Sequence, residues 1–270
     1  MRIAKPQSLE IRPAPSNRTS STTSLNHGDE TISADIKPEN YTKPFCDFIT
    51  NNPTVFHTVE GLTSRLEAHG YVELSERDTW NSELKRGGKY YCTRNGSAVI
   101  AFVVGEDYTT GNGFGIVAGH IDALTARLKP IPKLQTKSGF VQLGVAPYAG
   151  GMNDTWCDRD LGIGGRVLVK NTKSGKIETK LVKLGWPIAR IPTLAPHFGA
   201  AAIGPFNKET QMVPIIGLDN LDRETQTESS IPAGTFAATQ PERLVKAIAG
   251  ELNVQDCTLP LLPTSPNLTG

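Results

Sequence analysis

The sequence lacks the features that mark membrane, disulfide-rich secreted and nucleic-acid-binding proteins. No apolar run approaches the roughly 18 residues that a membrane-spanning helix needs, and no apolar core of a secretory signal follows the N-terminus. The four cysteines, at positions 46, 92, 157 and 257, form no Cys-x-x-Cys pair, which argues against a disulfide framework or a structural zinc site. The formal net charge of +1 shows no bias of either sign, so nothing points to nucleic acid or an anionic membrane.

What remains is the composition of a globular protein. Of the 270 residues, 38% are hydrophobic and 20% are charged, which suits one large domain or two ordinary ones. The widely spaced cysteines are expected to be reduced thiols of an intracellular protein. Residues 1–34 are rich in Ser, Thr, Pro and Asn, and because they bury too little apolar surface to offset the entropy of ordering, we expect a disordered tail.

Residues 35–123 have the pattern of the first part of an α/β domain. Apolar residues recur at helical spacing in two sets, one at Phe45, Phe48 and Ile49 and one at Val55, Val59, Leu62 and Leu66. Gly70 then predicts the end of the second helix. Strand-like runs follow at 89–93, 98–104 and 115–119, and the last two are so apolar that we expect both of their faces to be covered.

Residues 124–262 are typical of a β-rich region with one helix. Short strand candidates, separated by Gly and Pro, lie at 125–129, 140–145, 165–169, 177–182 and 213–216. A helix is predicted over 241–252, with Pro241 in its first turn and an apolar stripe at Leu244, Val245, Ile248 and Leu252. Residues 263–270 contain two prolines and are expected to form a tail that does not complete a strand.

The strongest chemical signal lies at 116–122. An apolar run rich in β-branched residues ends at His120-Ile121-Asp122, so a buried strand would deliver an imidazole to the sheet edge with a carboxylate just behind it. A neutral histidine in that position can bind a metal. From the residues alone, His120 could equally be a satisfied core histidine, and Asp122 a turn residue that accepts backbone N–H bonds.

Five short blocks, in order along about 40–262, resemble the M18 metallo-aminopeptidases, the aspartyl aminopeptidase family, and especially its fungal vacuolar aminopeptidase I branch. They are Gly-His-Ile-Asp-Ala-Leu-Thr at 119–125 with Leu-Lys-Pro at 128–130, Val-Ala-Pro-Tyr-Ala-Gly-Gly at 145–151, Trp-Cys-Asp-Arg-Asp-Leu-Gly-Ile-Gly-Gly-Arg at 156–166, Arg-Ile-Pro-Thr-Leu-Ala-Pro-His-Phe-Gly at 190–199 and Val-Pro-Ile-Ile-Gly at 213–217. Any one block is weak, but the ordered set carries the resemblance.

The resemblance implies an α/β fold class: part of a zinc-peptidase α/β domain, with a β-rich dimerisation domain inserted in it. It also implies two zinc ions per site, which polarise the peptide carbonyl and generate hydroxide from bound water, and a glutamate as general base. The substrates would be peptides, which lose their N-terminal residue. Dimers of the family build a dodecamer.

The resemblance also assigns roles to individual residues. His120 would be a zinc ligand, and Asp122 would orient the site without binding metal. His197 would reach into the partner subunit's active site and help hold the substrate carbonyl, although by itself it could be an exposed loop histidine. The charges of Asp158, Arg159 and Asp160 are expected to form a structural ion-pair network at a domain or dimer interface.

The family's other zinc ligands and its catalytic glutamate cannot be placed in these 270 residues. A catalytic zinc normally needs about three protein ligands, so we expect the chain alone to be inactive or nearly so. One hypothesis is an M18 aminopeptidase that is C-terminally truncated. Another is a non-catalytic subunit that assembles, through its β-rich domain, with a second copy or a full-length paralogue.

Two further expectations concern function class and compartment. A plain β-rich binding module would fit the strand pattern but would leave His120 and Asp122 unexplained. The resemblance favours the vacuole, whereas residues 1–34 lack an amphipathic period, which keeps the cytoplasm as the alternative. We do not expect secretion.

Overall fold

A computed structural model describes residues 37–132, 134, 136–171, 174–199, 204–219 and 235–253, and the backbone of 266–269. The predicted disordered tail at 1–34 lies outside these residues. The chain divides into two compact units, Met1–Pro44 and Phe45–Gly270. Within the described part, Cys46, Cys92 and Cys157 are free thiols, and no helix is long and apolar enough to cross a membrane.

Helices and strands have the following bounds. The helices are α1 (Glu39–Asn51), α2 (Val55–Ala68), α3 (Phe236–Thr239) and α4 (Glu242–Glu251), with 3-10 turns at Asp154–Trp156 and Pro196–Phe198. The strands are β1 (Val72–Glu73), β2 (Lys89–Arg94), β3 (Ala98–Val103), β4 (Thr125–Leu128), β5 (Phe140–Gln142), β6 (Val145–Tyr148), β7 (Asp160–Lys170), β8 (Ile177–Lys183), β9 (Ala189–Arg190), β10 (Ile215–Leu218) and β11 (Pro266–Thr269).

The two helices predicted near the start of the chain are present. In α2 the apolar stripe turns inward, so that Val59 is buried. The helix ends at the predicted stop signal, where Gly70 has a φ of 79° that side chains with a Cβ rarely adopt. In contrast, α1 has no buried residue, and Phe45 and Ile49 lie exposed.

The first sheet has three strands, in the order β1-β2-β3. Strands β2 and β3 form an antiparallel hairpin in register from Lys89 opposite Val103 to Arg94 opposite Ala98, and α2 packs on this sheet. Ile100 and Val103 nevertheless remain 65% and 53% exposed. The expectation that β3 is covered on both faces is therefore wrong, because α2 packs on this sheet and still leaves these two side chains mostly exposed.

The prediction of a strand at 115–119 is also wrong, since this segment has no regular secondary structure. Ile116 is 84% exposed and Val117 is fully exposed. A strand needs a neighbour to accept its N–H groups and donate to its carbonyls. None of the described strands pairs with this segment, so its β-prone sequence stays unpaired.

The second sheet has eight strands and forms the β-rich region. Its order is β5-β10-β9-β7-β11-β4-β6, and β8 pairs with β7 outside this path. The long strand β7 pairs with β8, β9 and β11, and its residues Leu161, Ile163 and Val167 are buried in the main apolar core. Every strand predicted for this region is present, with bounds shifted by a few residues, whereas β6, β9 and the short helix α3 were not predicted.

The chain end at 266–269 is a strand, β11, and the prediction of a tail at 263–270 is wrong in that part. It lies between β7 and β4 and is antiparallel to both. Pro266 is its first residue, a position where the missing N–H is tolerated. Two neighbouring edges with open hydrogen-bonding groups outweigh the weak propensity of this segment.

Helix α4 confirms the prediction at 241–252 and closes the core of the β-rich region. Leu244, Val245 and Ile248 are buried in that core. Its Arg243 donates from Nη1 to the carbonyl of Ile216 at 2.9 Å. A Cβ at Gly217 would lie 1.7 Å from that nitrogen and displace the guanidinium, and the φ of 149° is one that residues with a side chain rarely adopt.

Candidate functional site

His120 and Asp122 lie together in the irregular segment that leads into β4. The Nδ1 atom of His120 is 3.3 Å from Oδ1 of Asp122. The imidazole is 69% exposed, whereas the carboxylate is 19% exposed. A carboxylate placed to accept a hydrogen bond from Nδ1–H favours the tautomer that leaves Nε2 free to bind a metal, which is the arrangement found behind metal-binding histidines.

The described residues do not by themselves complete a metal site. No group of three or more His, Cys, Asp or Glu side chains is placed to hold a metal ion within the part of the chain that the structure describes. One imidazole, with a carboxylate already engaged by it, does not provide the roughly three protein ligands that a catalytic zinc requires. Zinc therefore does not fit on these residues alone.

His197 lies on the 3-10 turn Pro196–Phe198, between β9 and β10. Its side chain is exposed, and its ring lies beside that of Phe198, with the ring centroids 4.5 Å apart and the planes tilted by 33°. Among the described residues, no hydrogen bond or ion pair joins His197 to His120 or Asp122. The histidine is therefore presented outward, and the structure brings together only the first two of the three predicted site residues.

The charge cluster at 158–160 forms contacts that the sequence predicted only in part. Asp160 pairs with Arg190, with Nε 3.7 Å from Oδ1. The carboxylate of Asp158 instead accepts hydrogen bonds from the backbone N–H and the hydroxyl of Thr193. These hydrogen bonds hold the pKa of Asp158 below its ordinary value.

The Asp158 contact was missed because it joins residues 35 positions apart. One sequence signal could have suggested it. An Asp after a 3-10 turn often adopts the left-handed conformation and binds nearby N–H groups, and Asp158 has a φ of 57°.

A third histidine, His57, is half-buried where α2 meets β7. Its Nδ1 is 2.8 Å from the hydroxyl of Thr54, and its Cε1 approaches Gly164. Burial, with the positive charge of Lys183 as a smaller cause, lowers the pKa of His57 to about 4. This histidine is therefore neutral at ordinary pH.

Arg166 joins the two sheets near the same place. Its Nη1 donates to the carbonyl of Asn95 at 2.6 Å, and both terminal nitrogens lie 3.2 Å from Oδ1 of that residue. The guanidinium also lies 4.4 Å from the ring centroid of Phe56 on α2. One side chain of β7 thus contacts both α2 and the turn of the β2–β3 hairpin.

Comparison with known proteins gives a consistent result. The family model described as aminopeptidase I zinc metalloprotease (M18) matches residues 48–260. Vacuolar aminopeptidase 1 of Saccharomyces cerevisiae is 43% identical over 188 residues, which are 69% of this chain and 37% of that protein. Aspartyl aminopeptidase of Aspergillus oryzae is 45% identical over 194 residues, 72% of this chain and 39% of that protein.

The solved structures that resemble this chain include Ape1 proteins. Chaetomium thermophilum mApe1 superposes with a TM-score of 0.78 at 54% identity and covers 86% of this chain and 51% of its own. The S. cerevisiae mApe1 dodecamer gives a TM-score of 0.68 at 31% identity and covers 85% and 48%. The chain thus spans about two fifths of the curated relatives it matches and about half of the matched solved chains.

Proposed function

This chain belongs to the M18 family of aminopeptidase I zinc metalloproteases, and from that premise we propose that it acts in zinc-dependent release of N-terminal residues from peptides. The observation that carries the proposal is the family match over residues 48–260, which includes His120, Asp122 and His197. The contact of 3.3 Å between the His120 imidazole and the Asp122 carboxylate supports it, because it suits a metal-binding histidine.

The proposed roles follow the chemistry of the three side chains. His120 would bind zinc, and Asp122 would fix the tautomer and orientation of that imidazole. His197, exposed on its 3-10 turn, would serve the active site of a partner subunit by donating a hydrogen bond to the substrate carbonyl as negative charge develops there. When bound, two zinc ions would supply Lewis-acid polarisation and a hydroxide nucleophile.

We further propose that the 270-residue polypeptide has little or no peptidase activity alone. The described residues place no group of three metal-binding side chains together, and a lone histidine binds zinc weakly. An assay of the purified polypeptide with added zinc tests this. Turnover that survives removal of host peptidases and disappears in a His120→Ala variant would contradict it.

A chimera tests the proposed function itself. Residues 48–260 replace the matching segment of A. oryzae aspartyl aminopeptidase, and hydrolysis of a peptide with N-terminal aspartate is measured together with bound zinc. We expect the chimera to be active and to lose zinc with His120→Ala. Asp122→Asn should lower the rate roughly 10–100-fold, and His197→Gln roughly 100–1,000-fold. The exposed His69→Gln serves as the matched control, with unchanged rate.

Two results of the chimera experiment would contradict the proposal. The first is a folded chimera with its full zinc content and no hydrolysis. The second is unchanged zinc content and activity after His120→Ala. Thermal unfolding of each variant distinguishes these results from simple misfolding.

A non-catalytic assembly subunit is the second candidate function. It is favoured by the absence of a three-residue metal group in the described part of the chain and by exposed apolar side chains beside His197, namely Leu194 and Phe198. A sizing column separates the two candidates. Co-elution with a full-length M18 relative, without an increase in activity per zinc, would favour the subunit over the enzyme.

We also propose a vacuolar location, with the cytoplasm as the alternative. The proposal rests on 43% identity to a relative named vacuolar aminopeptidase 1. A fluorescent fusion of the chain, followed in living cells with a vacuolar membrane dye, tests it. Diffuse fluorescence outside the vacuole would favour the cytoplasm.

A further inference from the structure

We propose that Asp158 is a positioning residue: its carboxylate anchors the loop that carries His197 and thereby fixes where that imidazole is presented. The catalytic part of this inference rests on the proposed function of His197, whereas the anchoring of the loop does not. Asp158 lies two residues before β7 begins, and His197 lies beyond the end of β9.

The contact is specific because one carboxylate satisfies two donors of one residue. The backbone N–H of Thr193 donates to Oδ1 of Asp158 at 3.1 Å, and the Thr193 hydroxyl donates to Oδ2. The backbone of Asp158 adds two more hydrogen bonds to the same segment, residues 190–193. Its N–H donates to the carbonyl of Ile191 at 2.9 Å, and its carbonyl accepts from Nη2 of Arg190 at 2.8 Å.

The position of the anchor decides its effect. Cys157 and Ile191 form an isolated parallel β-bridge, so the two chain segments are paired through their backbones at that point. Thr193 comes next, and in the described residues that follow, 194–199, the hydrogen bonds of Phe198 and Gly199 stay within the loop. Thr193 is thus the anchored residue nearest in sequence to His197 on its N-terminal side.

Backbone conformation gives a second, independent sign that Asp158 is specialised. Its φ of 57° lies in the left-handed region, which costs a residue with a Cβ about 1 kcal/mol. Asp and Asn tolerate this conformation best among non-glycine residues. A residue is held there only when the surrounding contacts over-determine it, as the four links to 190–193 do.

Charge adds stability to the anchor over the ordinary pH range. Hydrogen bonds from Thr193 lower the pKa of Asp158, with Arg190 as a smaller favourable cause. A carboxyl with a lowered folded-state pKa keeps its stabilising effect above its ordinary pKa and loses it only as the pH falls below that value. The loop should therefore stay anchored at neutral and mildly acidic pH.

The experiment compares variants that change the anchor with variants that keep it. Asp158→Gly removes the carboxylate but relieves the left-handed backbone, so global folding is spared. Asp158→Asn keeps the size, the φ preference and one acceptor. Thr193→Val removes only the hydroxyl, whereas Thr193→Ser keeps it. Asp160→Asn, which loses the pair to Arg190 without touching Thr193, is the matched control.

Two measurements on the 270-residue chain report on the loop. Hydrogen exchange of the Thr193 amide should accelerate about tenfold in Asp158→Gly, because one hydrogen bond of roughly 1.4 kcal/mol is lost. The His197 ring protons should lose the ring-current shift caused by Phe198, which lies 4.5 Å away. Asp158→Asn and Thr193→Ser should restore most of both signals, and the melting temperature should change little.

The anchoring of the loop and the catalytic role of His197 can fail independently in these experiments. Unchanged Thr193 exchange and unchanged His197 shifts in Asp158→Gly overturn the inference. Equal loosening in Asp160→Asn overturns it as well. In the chimera, Asp158→Gly should reduce the rate by less than His197→Gln does. If the loop loosens while neither variant lowers the rate, the anchor is supported and the catalytic role of His197 fails.

Discussion

The first sheet and the β-rich region are built from similar apolar strands and reach opposite degrees of burial. In the β-rich region, Leu161, Ile163 and Val167 of β7 have at most 1% of their surface exposed. In and after the first sheet, Ile100, Val103 and Ile116 have more than half of their surface exposed. The comparison teaches that β propensity supplies the strand, whereas neighbouring strands and helices supply the burial.

The largest expected difference between the two regions is the loss of folding stability when an isoleucine is truncated to alanine. Ile163→Ala in β7 removes buried methyl groups and should lower the free energy of unfolding by about 2–5 kcal/mol. Ile116→Ala, the matched change at an exposed isoleucine, should lower it by less than about 0.5 kcal/mol. Urea unfolding followed by circular dichroism measures both. Similar losses for the two variants would mean that 114–119 is buried in solution.

A smaller effect should appear where the two regions meet. Arg166→Lys loses the forked contact to Asn95 and most of the stacking on Phe56, and should cost about 2 kcal/mol. Arg94→Lys, in the exposed pair with Glu76, is the control and should cost less than about 0.5 kcal/mol. Faster hydrogen exchange over 89–103 in the first variant, with little change in β7, would show that the first sheet depends on this contact more than the β-rich region does. An equal increase in both regions would contradict that difference.

The smallest effect should be a pH dependence from His57. Its folded-state pKa of about 4 lies below the ordinary value of 6.5, so the unfolded chain takes up the proton first as the pH falls. Stability should be constant above pH 6.5 and decline between pH 6.5 and about 4. After allowance for solvent screening of a half-exposed ring, the loss should be about 1 kcal/mol.

The pH series needs its own controls. Thermal or urea unfolding is measured across that pH range for the parent chain, His57→Gln and His69→Gln. The decline should be smaller in His57→Gln and unchanged in His69→Gln, since His69 lies exposed. An identical decline in all three proteins would assign it to carboxyl groups and not to His57.

Local patterns were sufficient for most of the helices and strands. Helices α2 and α4 follow from apolar residues at a period near 3.6, with Gly70 and Pro241 at their ends. Strands β2, β7 and β8 follow from short runs between turn residues, aromatic in β2 and containing β-branched residues in β7 and β8. These elements are predictable because the groups that decide them are within a few residues of each other.

The errors share a physical cause. The segment 115–119 has a strand sequence without a described partner, and β11 has a weak strand sequence with two partners. Pairing partners override propensity in both cases. The Asp158–Thr193 anchor and the Arg166–Asn95 contact also depend on distant segments of the chain, because they join positions 35 and 71 residues apart. The sequence therefore did not predict them.

The candidate site divides in the same way. The sequence itself contains the His-x-Asp spacing of His120 and Asp122, the histidine of the Ala-Pro-His-Phe-Gly run and the family order of the blocks. Their roles in zinc binding and catalysis remain proposals, to be tested with the chimera. The outward presentation of His197 and the anchoring of its loop to Asp158 could be found only in three dimensions.

By itself, the order of residues determined the periodic elements, the family and the three side chains on which the proposed chemistry depends, because each is encoded by near neighbours or by short blocks. Only the tertiary structure decided which apolar strands are buried, that 266–269 enters the sheet and that Asp158 binds Thr193. Those outcomes depend on which distant segments meet, and the free energy of pairing and burial exists only once they do.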